Sequence, residues 1–153
     1  MEYLKDIEQF LALEDSHISI LNELSRTEEY PKNTVIIEQG DIARNLIFLK
    51  SGIAASIYKK HNKKFIRDFY FEPHIFTEQQ SFIKKVPAKF SVVSVSNITC
   101  RLISFEDLET LYDQIPNLKD IAYDMLLNGF INISDRLESL LTLTPEQRYL
   151  KLL

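Results

Sequence analysis

Glycine is scarce in this chain, with three residues in 153, at Gly40, Gly52 and Gly129. Spaced so widely, they exclude a glycine-rich phosphate loop, a Walker-type lysine motif and a dinucleotide fingerprint, each of which needs glycines at close, fixed spacing. Cysteine is scarcer still. Cys100 alone gives no disulfide framework, no zinc-spaced cluster and no four-thiolate iron–sulfur site, and a reducing cytoplasm is the expected setting. No apolar run approaches the roughly 20 residues of a membrane span, and the opening Met-Glu-Tyr-Leu-Lys-Asp is acidic and amphipathic, unlike a basic leader. Positive charge is also lacking. A formal net charge of −4 leaves no overall electrostatic footprint for nucleic acid. What the chain does have is apolar material, 45% of its residues, enough for one core and an appendage but not for a second core.

The pattern centres on residues 38–52, Glu-Gln-Gly-Asp-Ile-Ala-Arg-Asn-Leu-Ile-Phe-Leu-Lys-Ser-Gly. A Gly-Asp turn, a short spacer, the unbroken apolar run Leu46 to Leu49 and a Ser-Gly turn describe a buried strand between two tight corners. Glycine is needed at Gly40 and Gly52 where the backbone takes positive φ, which costs other residues about 1 kcal/mol. Upstream, Tyr3, Leu4, Ile7, Phe10, Leu11 and Leu13 recur at helical spacing, and Ser16 is placed to cap a second short helix carrying Ile18, Leu21 and Leu24. From Glu28 onward the period changes to short β-rich runs at 34–37, 46–49, 53–58, 65–71, 90–95 and 98–103. Recurrence every 8–12 residues or so predicts an antiparallel sandwich or barrel and argues against βαβ units. Between two of these runs, Lys59, Lys60, His61, Asn62, Lys63 and Lys64 predict a long basic hairpin tip. A solvated loop that protects a sheet edge accounts for it; an anionic partner is the alternative.

After the strands, Ser104 with Glu106 and Asp107 marks a helix start, with Leu108, Leu111 and Tyr112 as its inner face. Pro116 is expected to open the next helix. That segment carries Leu118, Ile121, Ala122, Met125, Leu126, Phe130, Ile133, Leu137, Leu140 and Leu141, a wide stripe broken only by Gly129. So much apolar surface is costly to leave in water, which predicts a homodimer through Leu118, Ile121, Ala122, Met125, Leu126, Ile133, Leu137 and Leu140. Finally Thr144, Pro145 and Gln147 form a capping box with a first-turn proline, opening a further helix.

From about Ile20 to the C-terminus this order of elements, and above all the Gly-Asp, spacer, apolar strand and Ser-Gly of residues 38–52, resembles the cyclic-nucleotide-binding domain of bacterial Crp/Fnr-type transcription regulators. The resemblance implies a mainly β fold with α, an antiparallel double-stranded β-helix (jelly roll) with N-terminal helices and a long C-terminal dimerisation helix. It divides the chain into a β-roll domain at 1–115, a dimerisation helix at 116–143, and at 144–153 the start of a winged helix-turn-helix domain whose DNA-reading part would lie beyond Leu153. The implied function is effector sensing and dimerisation for a cytoplasmic transcription regulator, which binds and does not catalyse.

In the resembled family a short helix after the sixth or so strand holds cyclic nucleotide: glycine allows close approach, glutamate takes the ribose hydroxyl, and an Arg-Ser pair takes the phosphate. Here that stretch begins Phe71-Glu72-Pro73-His74-Ile75-Phe76-Thr77-Glu78-Gln79, and Glu78 matches the glutamate. The glycines are replaced by Pro73 and Thr77, and the arginine falls at Ala88 with Lys89 beside it. Proline removes a backbone donor, and lysine lacks the planar fork that grips phosphate through two hydrogen bonds. Cyclic-nucleotide binding by the usual mode is therefore not expected. The effector pocket, if used, falls at Thr77, Glu78, Gln79, Ala88 and Lys89 and takes another small anion or an apolar molecule, while a domain with no effector remains an alternative. Glu78 also has an ordinary reason to be there, as an acid in the first turn of a short helix. His74 as an axial haem ligand has no second candidate at a readable spacing, so no cofactor is expected.

Two other functions compete. A metal-dependent cupin-type enzyme would need clustered histidines with a carboxylate, whereas His17, His61 and His74 fall on a helix, a loop tip and a turn. No serine, cysteine or threonine has a nucleophile's context. A cyclic-nucleotide-binding regulatory subunit of a channel or kinase would share the fold; the helix after Pro145 favours the transcription regulator by resemblance.

Overall fold

Residue Leu11 and residues 13–151 are described by the computed structural model. They fall into two compact units, 1–115 and 116–153. The expected first helix lies outside the described residues, except that Leu11 is buried in a turn and Leu13 is half-buried without helical structure.

In the first unit helix α1 (Asp15–Glu23) precedes strands β1 (Arg26–Tyr30), β2 (Val35–Ile37), β3 (Asn45–Ser51), β4 (Ile53–Lys60), β5 (Lys63–Phe71) and β6 (His74–Phe76). Then come α2 (Gln79–Lys84), β7 (Ser91–Ser94), β8 (Ile98–Ser104) and α3 (Phe105–Gln114). The strands form two four-stranded antiparallel sheets, in the orders β1-β8-β3-β6 and β2-β7-β4-β5. This is the antiparallel jelly roll that the resemblance implies, and a case of the sandwich or barrel that the strand spacing predicts.

β3 is the central strand in more than sequence. Ile47 and Leu49 enter the core with Ala54, Tyr70, Phe76, Phe90, Val92 and Cys100. Phe48 faces the opposite way and is buried too, which is why the run is apolar without alternation. On that outer side Arg101 of β8, the register partner of Phe48, donates from Nη1 to Asn22 Oδ1 of α1 at 2.7 Å.

Both corners of β3 have positive φ, +96° at Gly40 and +91° at Gly52. Their constraints differ. A Cβ on Gly40 would meet nothing within 4 Å, whereas one on Gly52 would stand 2.3 Å from the Asn97 carbonyl oxygen. Elsewhere loops are tied down by serine hydroxyls: Ser94 Oγ accepts from Thr34 N at 2.8 Å, Ser91 Oγ from Gln39 N at 2.9 Å, Ser81 Oγ from Ala43 N at 2.8 Å, and Ser96 Oγ from Ile53 N at 2.9 Å.

Three local expectations are corrected. The N-cap position of α1 is held by Glu14, without a side-chain hydrogen bond, and not by Ser16, so that Asp15 falls in the first turn, where the helix dipole favours an acid. The basic hairpin tip is two residues long: His61 and Asn62 carry the turn at φ +49° and +61°, while Lys59, Lys60, Lys63 and Lys64 lie in the ladder, Lys60 opposite Lys63. Pro116 stands before the long helix, whose N-cap is Asn117 at φ +67°.

The second unit holds α4 (Leu118–Thr142) and α5 (Pro145–Leu150). The Thr144 and Gln147 capping box is present, with Pro145 in the first turn. No helix among the described residues is long and apolar enough to cross a membrane.

Candidate functional site

The stretch that resembles a phosphate-gripping helix is folded around its own needs. Phe76 and Thr77 lead from β6 into α2, whose N-cap is Glu78. Glu78 is buried and its Oε2 accepts from Ser81 N at 2.7 Å, satisfying one of the unpaired donors at the helix start. Thr77, also buried, donates its hydroxyl to the Asn45 carbonyl at 2.9 Å. Gln79 and Lys89 are exposed.

Ala88 is 3% exposed and part of the core cluster. Its N–H donates to the Asp41 carbonyl and its carbonyl accepts from Gly40 N, both at 2.8 Å. The position that the resemblance gives to an arginine is thus a methyl group packed against the core, on a backbone hooked to the Gly-Asp turn. Of the residues at 73, 77, 88 and 89, Thr77 and Ala88 are buried, Pro73 is half-buried and Lys89 is exposed. A small pocket opens nearby instead, about 160 Å³, lined by Tyr30, Ile37, Asp41, Ala43 and Ile47 among others and by none of the predicted pocket residues. Ligand cavities commonly run to about 300 Å³ or more. In the sequence residues 42–45 read as a spacer; their structural weight shows only once Ala43 and Asn45 are seen bonded to Ser81 and Thr77.

Burial shifts two side chains of the roll whose chemistry could have served a site, Cys100 and His74. Burial pushes the Cys100 thiol up to about 11, with the nearby Glu28 charge adding to it, so the nucleophilic thiolate is suppressed. His74 stacks on Tyr70 at 5.1 Å; desolvation there holds its imidazole below the ordinary range, against an opposing pull from Asp68. His17, His61 and His74 lie on α1, at the hairpin tip and on β6. Among the described residues no three His, Cys, Asp or Glu side chains gather as metal ligands would.

The predicted interface residues divide. Leu118 is buried, Ile121, Ala122 and Met125 are half-buried, and Leu126, Ile133, Leu137 and Leu140 are exposed by 55–68%. Tyr123, Phe130, Ile131 and Leu141 extend the exposed apolar surface of α4.

Residues 27–115 match the family profile of the cyclic nucleotide-binding domain, over half of the chain. The chain belongs to that family. No curated protein is matched by its sequence. Among solved structures it is similar to the catabolite activator protein of Thermus thermophilus, with a TM-score of 0.72 and 17% identity over 86% of this chain and 62% of that one. A mutant of CooA from Carboxydothermus hydrogenoformans gives a TM-score of 0.75 at 12% identity, over 95% and 62%. The c-di-GMP responsive global regulator CLP of Xanthomonas campestris gives 0.65 at 20%, over 90% and 70%. At such identities the shared property is the fold, and the chain spans about three-fifths of the length of the first two. The fold is that of the cyclic nucleotide-binding domain, shared with these Crp/Fnr-type regulators.

Proposed function

We propose that this chain is the effector-sensing and dimerising part of a Crp/Fnr-type transcription regulator, a binding module and not an enzyme, in which cyclic nucleotide is not held by the usual contacts. The observation that carries this reading is the exposed apolar stripe of α4, from Leu126 through Ile133 and Leu137 to Leu140 on one 25-residue helix. Leaving such a surface in water costs roughly 25 cal/mol per Å², and pairing with the α4 of an identical chain removes it. A shift between two arrangements of the paired helices would then carry a signal from the roll to a DNA-reading domain opened by α5. Effectors other than cyclic nucleotides, small and anionic or apolar, fit the substitutions at 77, 88 and 89.

Sedimentation velocity and thermal shift test the two halves of this reading. A dimer that persists to about micromolar concentration, and no saturable stabilisation by cyclic AMP or cyclic GMP, is the expected result. A monomer at high concentration would remove the dimerising role, and a saturable shift at micromolar cyclic nucleotide would restore the family's usual ligand.

A further inference from the structure

One cavity of the roll is distinguished by its charge. It measures about 350 Å³ and is lined by Arg26 at the start of β1, Arg44 and Asn45 at the entrance to β3, Lys85 at the C-cap of α2, and Ser104 with Glu106 at the start of α3. Three cations face one carboxylate there, in a chain whose formal charge is −4. The composition does not produce that imbalance, and it gives the cavity a local positive field that favours an anion.

None of the three cations is fully neutralised. Arg26 meets Glu28 at 3.4 Å, but both side chains are largely in solvent, where such a pair contributes little. Lys85 lies over the rings of Phe105, at 4.4 Å, and Phe82, at 5.4 Å, contacts that orient an ammonium without cancelling its charge. Arg44 has no ion pair or side-chain hydrogen bond among the described residues.

The pocket is also held in place. Arg44 sits between two pinned neighbours, Ala43 through Ser81 Oγ and Asn45 through Thr77 Oγ1. Lys85 is fixed by its N–H to the Ser81 carbonyl at 2.9 Å, in a left-handed conformation at φ +56°. The first turn of α3, a ten-residue helix, adds the positive end of its dipole, partly offset by Glu106 and Asp107 in the same turn. Two guanidinium forks beside an ammonium, carried on pinned backbone, match a compact, multiply charged oxyanion.

We infer that this pocket is a binding site for a small phosphate-bearing ligand, separate from residues 77–79 and 88–89 and independent of whether the chain dimerises. Arg44 and Arg26 grip the phosphate oxygens, Lys85 supplies a point charge, and Glu106 at the rim weakens the binding of a dianion.

The test is isothermal titration of the whole chain with inorganic phosphate and with glycerol phosphate, at matched ionic strength in chloride. Saturable binding of either, weakened about tenfold or more by Arg44→Gln and by Arg26→Gln and strengthened by Glu106→Gln, is the expected result. Lys32→Gln, outside the pocket, should leave it unchanged. All four side chains are exposed, so the variants should fold, which their thermal unfolding verifies. Binding that Arg44→Gln and Arg26→Gln leave at the wild-type level, or heat that never saturates with either ligand, overturns the assignment.

Discussion

Ala88 and Asp41 are joined backbone to backbone, the Ala88 N–H donating to the Asp41 carbonyl at 2.8 Å, while the Ala88 methyl packs among core residues. Restoring an arginine here would not restore a phosphate grip. Ala88→Arg must bring a guanidinium into the core or break the hook to the Gly-Asp turn. A loss of about 3 kcal/mol or more in chemical denaturation is expected, with no gain of cyclic-nucleotide binding. A folded Ala88→Arg variant that binds cyclic AMP would contradict this account.

The two corner glycines predict unequal damage. Gly40→Ala meets only the backbone cost of positive φ, about 1 kcal/mol. Gly52→Ala adds a 2.3 Å approach to the Asn97 carbonyl, so it should cost at least about 2 kcal/mol and loosen the β3–β4 corner. Equal midpoints for the two variants in urea would show that the Asn97 loop yields freely.

If α4 pairs with its copy, Ile133→Glu should convert a dimer to a monomer in sedimentation while leaving the roll folded, because residue 133 is 61% exposed in a single chain. A like-charge, desolvated pair at such an interface costs several kcal/mol. Retention of the dimer would place the interface elsewhere.

Cys100 should resist alkylation. With its thiol at about 11, only the unfolded protein offers appreciable thiolate near pH 8, so iodoacetamide labelling should follow the rate of opening. Stability follows the same linkage: the contribution is intact below the ordinary thiol range near 8.5 and is lost as pH rises from there toward 11. Cys100→Ala should flatten that slope below about pH 10, above which the raised tyrosines Tyr30, Tyr70 and Tyr112 also contribute.

His74 predicts a slope of the opposite sense in acid. Its folded value lies below its unfolded one, so the unfolded chain binds the extra proton and stability falls as pH drops below about 6.5. His74→Gln should flatten that part of the profile, read from denaturation midpoints between about pH 7 and pH 5.

Much of the roll was legible because burial leaves a periodic trace. β3 announced itself by an apolar run buried on both faces, and Gly40 and Gly52 by a requirement few other residues meet. β1 was hidden: Arg-Thr-Glu-Glu-Tyr is an edge strand paired only with β8, mostly solvated, and has no apolar face to read. β6 is three residues long, too short for a period. The tight hairpin was missed because its turn uses His61 and Asn62 at positive φ where Asn-Gly would have signalled it. At the candidate site Ala88, where the resemblance puts an arginine, was readable, but Glu78, expected on a ribose or in the first turn of its helix, is instead the buried N-cap. The pocket around Arg44 left no local signature, since its members come from four separate parts of the chain.

The serine hydroxyls that fasten the loops join residues far apart: 60 positions for Ser94 and Thr34, 52 for Ser91 and Gln39, 43 for Ser96 and Ile53, and 38 for Ser81 and Ala43. At a ribosome adding about 5–20 residues per second, the segment from Thr34 to Ala43 waits seconds for its anchors to emerge. Meanwhile it is open to chaperones and proteases, so the newborn roll is most vulnerable just before β7 leaves the exit tunnel.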